Sequence, residues 1–250
     1  MTARQYIAAI GVCLLSSYSG FGSANDPLEV RVVTESYPPY NYLDNDQVVG
    51  LSTEIVRKVM DRSGLNYSIE LYPWTRAYAM ATRGDNRNVL IFTLRRTEAR
   101  EAIFDWLVKL SSSDLYLATR SDHPDLTDDQ LRNGDSKATC VRDDAACESL
   151  ARLGFTEDRL QVVSDPASEI RLVALGRADY FIANPVFVPL RLRQLNLPAD
   201  SFREVKLVET GGGYYLGAAK SVAPTIRQKI HEVVAAFATE GDDLKIVLPH

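Results

Sequence analysis

The feature that most constrains this chain is an alternation, kept up along most of its length, of short apolar strand-like runs with segments of helical period. Residues 28–34 (LEVRVVT), 67–72 and 88–92 read as strands, and residues 51–62 place Leu51, Ile55, Val56 and Val59 on one helical face. Gly64 supplies a left-handed stop to that helix, and a second helix is expected around residues 75–81. A strand–helix–strand–helix–strand order implies a parallel sheet covered by helices, because parallel neighbours need a long crossover. The second half repeats the pattern, with strands at 136–142, 160–163 and 180–183 and helices at 145–153 and 167–175, the latter ended by Gly176. The last helix begins at Pro224, whose ring suits a first helical turn, carries Ile226, Ile230, Val233, Val234 and Phe237 on one face, and closes at Gly241. Two apolar runs stand outside these units, 114–119 (DLYLAT) and 214–219 (YYLGAA); they read as two crossing strands that join a first lobe to an inserted second one. No period of about 20–50 residues repeats, which excludes a solenoid.

Composition narrows the function classes. Hydrophobic residues are 46% and charged residues 24%, the balance of a globular rather than a disordered chain. With 28 Lys and Arg against 33 Asp and Glu the net charge is −5, so no nucleic-acid partner is expected. Three histidines (His123, His231 and His250) and three cysteines leave little material for a metal site or a His-based triad, and no cofactor is expected.

The first 24 residues have the layout of a secretory leader. Arg4 gives a positive start, residues 6–15 (YIAAIGVCLL) form an apolar run too short to span a bilayer, and Gly22 and Ala24 stand at −3 and −1 before Asn25. Cleavage is expected after Ala24, with a periplasmic destination and no membrane insertion. Cys13 is not a lipidation site on this reading, because the Val12 before it is too bulky. Removal of the leader takes Cys13 away and leaves Cys140 and Cys147, an even pair in an oxidising compartment, read as a disulfide.

Ligands of parallel α/β sheets sit beyond the carboxyl ends of the strands. The segments 35–42, 73–76 and 93–100 all emerge there, and Pro38 and Pro39 forbid a helix in the first of them.

The ordered stretches TESYPPYNYLDNDQVVGLSTEIVRKV, TEAREAIFDW, ALGRADYFIANP, YYLGAAKSV and EGDDLKI resemble the extracellular solute-binding proteins of family 3, the amino-acid-binding type of periplasmic binding protein. YPWTRAYAMA followed by NVLIFTLRRTEARE is similar to the transporter substrate-binding subgroup. The resemblance implies an α/β, two-lobed type II fold: each lobe a mainly parallel sheet flanked by helices, with the two crossing strands as hinge. Lobe one would take residues 25–115 and 215–250, and lobe two residues 116–214. It implies a monomer that closes on a small-molecule ligand and hands it to a membrane permease or signals through a receptor.

Candidate ligand residues follow from chemistry and position. Tyr37 and Tyr40 lie in the proline-stiffened loop, where rigid rings cover a ligand at low entropic cost, and Tyr42 follows them. Trp74 and Arg76 lie at the next strand-to-helix turn, Trp74 as a floor for a cation or apolar group. Thr93 opens the segment that leads to Arg96 and Arg100. In the resembled family a Thr-x-x-Arg arginine clamps the ligand α-carboxylate; 97–100 matches the spacing and points to Arg100, while a segment about two residues longer than usual leaves Arg96 as the alternative. Two positions depart from the family. Asn184 stands where an Asp usually meets the ligand ammonium, and Asp143 and Asp144 replace a Gly and small hydroxyl residues. Those two carboxylates either cap a helix or substitute for the missing ammonium partner. Two other classes stay open: a secreted enzyme resembling cyclohexadienyl dehydratase, with Glu35 or Asp143 as its acid or base, and the sensor lobe of a larger receptor or wall enzyme.

Overall fold

The computed structural model describes residues 29–125, 127–241 and 244. The leader and its cleavage point lie outside the described residues. One eight-stranded sheet runs through the molecule. In chain order the strands are β1 (Val30–Thr34), the short hairpin β2 (Tyr42–Asp44) and β3 (Gln47–Val49), β4 (Tyr67–Leu71), β5 (Val89–Arg95), β6 (Phe104–Arg120), β7 (Ala138–Val141), β8 (Leu160–Val163), β9 (Tyr180–Ala183) and β10 (Phe202–Ala219). The helices are α1 (Leu51–Ser63), α2 (Trp74–Thr82), α3 (Asp128–Asn133), α4 (Ala145–Arg152), α5 (Pro166–Ala174), α6 (Phe187–Gln194) and α7 (Pro224–Thr239). The large sheet has the order β4-β1-β5-β10-β6-β9-β7-β8, and β2 and β3 pair apart from it.

The expected parallel units are present on either side of a central antiparallel pair. β1 is parallel to β4 and β5, and β7 is parallel to β8 and β9. β10 is antiparallel to β5 and β6, and β6 to β9. The fold is thus α/β and two-lobed, with β6 and β10 passing through both lobes. The core divides accordingly. One apolar cluster joins β1 and β5 to α1, α2 and α7 through Val32, Val56, Ala77, Leu90 and Ile230. Two others pack α5 and α6, through Ile170, Val173 and Leu192, and α4, through Leu150, against β9 and β7.

The crossing strands are much longer than the six-residue runs seen in the sequence, at 17 residues for β6 and 18 for β10. Ser112 and Ser113 face Gly213 and Gly212 across the pair, residues that alone read as turn formers. The continuous ladder on both sides supplies the order that local propensity lacks, and the register shifts between Glu209 and Gly212 absorb the irregularity. The β2–β3 hairpin, read from the sequence as loop, turns on Asn45 and Asp46, at φ 46° and 60°, residue types that tolerate the left-handed region. α6 also went unassigned; the Asn184 side chain caps it by accepting from the amides of Val186 and Phe187.

α1 has no side-chain cap. Its first amides, on Leu51, Ser52 and Thr53, donate instead to the carbonyls of Pro39 and Tyr40. This seats the aromatic loop on the helix N-terminus. Gly50 is the residue that permits it. Its φ of 119° and ψ of 170° belong to glycine, and a Cβ there would lie 2.5 Å from the Tyr40 carbonyl oxygen.

Candidate functional site

A cavity of about 70 Å³ lies where the loops after β1 and β5 meet the starts of α4 and α5. The first lobe contributes Glu35, Tyr37, Trp74, Thr93, Arg95 and Arg100 to its walls. From the second come Asp144, Ala145, Ala146, Glu169, Asn184 and Phe187, while Leu115 and Tyr214 come from the crossing strands.

The loop after β1 is held from beneath by one buried amide. Asn41 donates to Thr34 Oγ1 (2.9 Å) and to the Glu35 carbonyl (2.6 Å), and accepts from the Thr93 hydroxyl. Thr93 sits at φ 55° in an irregularity of β5, where its pairing with β10 shifts register. Strand irregularities of this kind re-aim side chains beside functional sites. Tyr37 stacks on Phe187 of the second lobe at 4.1 Å between ring centres, and its hydroxyl lies 3.2 Å from that of Tyr214.

Arg100 is 2% exposed, and no carboxylate among the described residues pairs with it. Its guanidinium donates to the Arg95 carbonyl (2.8 Å) and, across the cleft, to the Asp143 carbonyl (2.6 Å). It also lies over the rings of Trp74 and Tyr78, at 5.4 and 5.1 Å. Arg95, equally buried, pairs with Glu209 at 2.9 Å, but its Nη1 has no partner.

The carboxylates have the opposite character. Asp144 caps α4 by accepting from the Ala146 amide at 2.7 Å. Burial pushes the Glu35 carboxyl up to about 8, helped by Asp144 and offset by Arg191 and Arg100. Glu169, 7% exposed, is raised well above the ordinary range by burial and then by the charges of Asp144, Glu35 and Asp165. Its Oε1 has no hydrogen-bond partner.

Of the residues singled out in the sequence, Tyr37, Trp74, Thr93, Arg100, Asp144 and Asn184 come together on this cavity. Four do not line it. Tyr40 is fully buried behind the wall, 5.8 Å from the Tyr214 ring. Arg76 is exposed and lies over the Tyr72 ring at 4.3 Å. Arg96 is exposed and pairs with Glu101 at 2.6 Å. The Asp143 side chain points to solvent, and that residue contributes its carbonyl, from a backbone at φ 62°. The turn after β5 thus carries Arg100, rather than Arg96, to the cavity.

Sequence reasoning missed Arg95, Glu169, Phe187 and Tyr214 as wall residues, and took Glu35 only as an acid or base. A signal existed for two of them. Arg95 ends a buried strand whose other residues, Thr93 apart, are apolar, and Glu169 shares its helix face with Val173, four residues on. The disulfide is present, with Cys140 and Cys147 sulfurs 2.04 Å apart, and it ties β7 to α4 across the turn that carries Asp143 and Asp144. Among the described residues no group of three or more His, Cys, Asp or Glu is arranged to hold a metal ion, and no helix is long and apolar enough to cross a membrane.

The family model of bacterial extracellular solute-binding proteins, family 3, matches residues 30–246. The chain belongs to this family. None of the curated proteins matches it. Among solved structures, this solute-binding protein is similar to a histidine kinase sensor domain with similarity to periplasmic binding proteins, at 21% identity and a TM-score of 0.71 over 86% of this chain and 93% of that one. An ancestral arginine-binding protein bound to arginine aligns at 14% identity and TM-score 0.68, over 86% of this chain and 94% of its own. A periplasmic His/Glu/Gln/Arg/opine family-binding protein from Silicibacter pomeroyi, in complex with lysine, aligns at 20% identity and TM-score 0.66, covering 85% and 92%. At such identities these likenesses bear on the fold alone.

Proposed function

We propose that this solute-binding protein captures a small polar ligand with a carboxylate at one end and a cationic group at the other, an amino acid or a close relative. One observation carries this reading. Three buried polar atoms of residues lining this cavity lack partners among the described residues: Arg95 Nη1 and Trp74 Nε1, which donate, and Glu169 Oε1. Buried polar groups are rarely left unpaired, so a ligand offering acceptors to the first two and a donor to the third completes the site. Arg100 and Arg95 hold the carboxylate, and Glu35, Asp144 and Glu169 face the cation. Tyr37 and Phe187 form the apolar wall. The arginine and lysine complexes among the structural relatives agree with such a ligand.

In this reading the leader is removed after Ala24 and the mature protein works as a periplasmic monomer. Lobe one comprises residues 25–115 and 215–250, lobe two residues 116–214, and the ligand passes to a permease or is reported to a receptor. The cavity, at about 70 Å³, has room for about five waters, so a larger ligand enters only when the lobes part. Hydrogen bonds that cross the cleft, from Arg100 to the Asp143 carbonyl and from Arg191 to the Ser36 carbonyl, are the ones that break first.

The test is direct. Mass spectrometry of the supernatant from denatured, freshly purified protein identifies any retained ligand. A thermal-shift panel of amino acids and small acids should contain at least one that raises the melting temperature by mass action. The raised Glu35 carboxyl favours one competing reading, a secreted dehydratase with Glu35 as its acid. Turnover of prephenate or arogenate, with no shift from any panel member, would replace the binding reading with that one.

A further inference from the structure

The acidic wall of the cavity differs in kind from an ordinary cation site, because its deepest carboxyl faces only negative charge. Glu169 lies in α5, whose N-terminal cap is Asp165, and looks across the cavity to Glu35 after β1 and Asp144 at the start of α4. Arg191 of α6 and Arg100 act on Glu35; among the described residues no cation acts on Glu169. Asp165 spends its oxygens on the Ser168 amide and hydroxyl, at 2.9 and 2.7 Å. Asp144 spends one on the α4 cap. Glu169 Oε1 alone is both buried and unpartnered.

Three carboxylates around so small a cavity cannot all remain ionised when the cations Arg191 and Arg100 act on Glu35 and none among the described residues acts on Glu169. We infer that the ligand's cationic group enters this wall in exchange for a proton, which leaves the Glu169–Glu35 pair for solvent as the ligand binds. This deepens the binding reading above and rests on it. The exchange balances: one O–H bond breaks, its proton goes to water, and the ammonium or guanidinium takes its place. The charge at the acidic wall is the same before and after, while the ligand carboxylate is met separately by Arg95 and Arg100 on the opposite wall. The directions of the two carboxyls agree, since burial and neighbouring acids hold both protonated near neutrality when the cavity is empty.

The experiment is calorimetric titration of ligand-stripped protein with L-arginine, L-lysine and glycine, in two buffers of different ionisation enthalpy, at several values between about pH 6 and about pH 8. For the probe that binds, the expected result is release of about one proton near neutrality and affinity that rises up to about tenfold per pH unit towards pH 8. Glu169→Gln or Glu35→Gln should remove most of that release. Infrared difference spectra of the unmutated protein supply a check free of folding defects: a protonated-carboxyl band should vanish when the probe is added. Binding with no proton release, a flat pH profile or an unchanged carboxyl band overturns this inference and leaves the binding reading standing. Proton release undiminished in both variants overturns it too. Failure of all three probes to bind removes the cationic ligand and this inference with it; the wider panel then decides the binding reading.

Discussion

Arg100 and Arg96 are four residues apart and chemically identical, yet their surroundings separate them completely. Arg100 is enclosed by Trp74, Tyr78 and two carbonyls, with a guanidinium that meets no carboxylate, whereas Arg96 is spent on Glu101 in solvent. Arg100→Ala should weaken binding of a carboxylate ligand by about 2–3 kcal/mol, the worth of a charge-assisted pair, and Arg96→Ala should leave it unchanged. Isothermal titration of both variants with the same ligand checks this, and a loss confined to Arg96→Ala would reverse the assignment. The Thr-x-x-Arg spacing pointed to Arg100, but the choice over Arg96 became visible only with the path of β5. Asp143 and Asp144 are likewise adjacent and alike in sequence. The left-handed backbone at Asp143 turns its side chain away while Asp144 swings inward to cap α4.

At the scale of elements, the aromatic loop and α1 form one unit through backbone bonds rather than side chains. Gly50→Ala would drive a Cβ into the carbonyls of Tyr40 and Pro39 in a conformation open only to glycine. A loss of about 2–3 kcal/mol in urea unfolding is expected, with ligand affinity also reduced because Tyr37 rides on the same loop. The β7–α4 turn is held differently. The Cys140–Cys147 bridge closes it, so reduction should cost about 2 kcal/mol of stability in the chain-entropy model. Comparison of the urea midpoints of oxidised and reduced protein measures that cost, and a thiol count on unreduced, denatured protein should find neither sulfur free. The helices with strong periodicity were legible to within a residue or two, α1 and α7 above all, since an apolar stripe and a glycine stop are local signals. α3 and α6 were not, being short and defined by what they pack against.

For the whole molecule, the groups shifted within the neutral range determine how stability varies with pH. Glu35, held up to about 8 in the folded, empty protein, binds more protons than its unfolded counterpart. Its contribution is therefore full below about pH 4.5 and lost as pH rises through 8, and Glu169 acts in the same direction. Glu70 works the other way, held down to about 2 by its bonds to Arg31 and Tyr72, but its window lies below pH 4.5. Ligand-free protein should thus lose melting temperature between about pH 5 and about pH 8, and Glu35→Gln should flatten that slope. A stability that rises over this interval in unmutated protein would contradict the protonated state of the cavity.

Periodicity, breakers and motif order in the sequence were enough for the α/β class, the parallel units, the two crossings, the pairing of Cys140 with Cys147 and six of the cavity's wall residues. These are carried by local stereochemistry and by apolar patterning, which act over a few residues. The tertiary structure decided which arginine and which aspartate face inward, because that depends on single left-handed residues at Thr93 and Asp143. It also brought Glu35 and Glu169 together, 134 positions apart in the chain, on one cavity where no cation among the described residues acts on Glu169. No local pattern encodes such a meeting, since the field at a buried carboxyl is set by whichever distant charges the fold places around it.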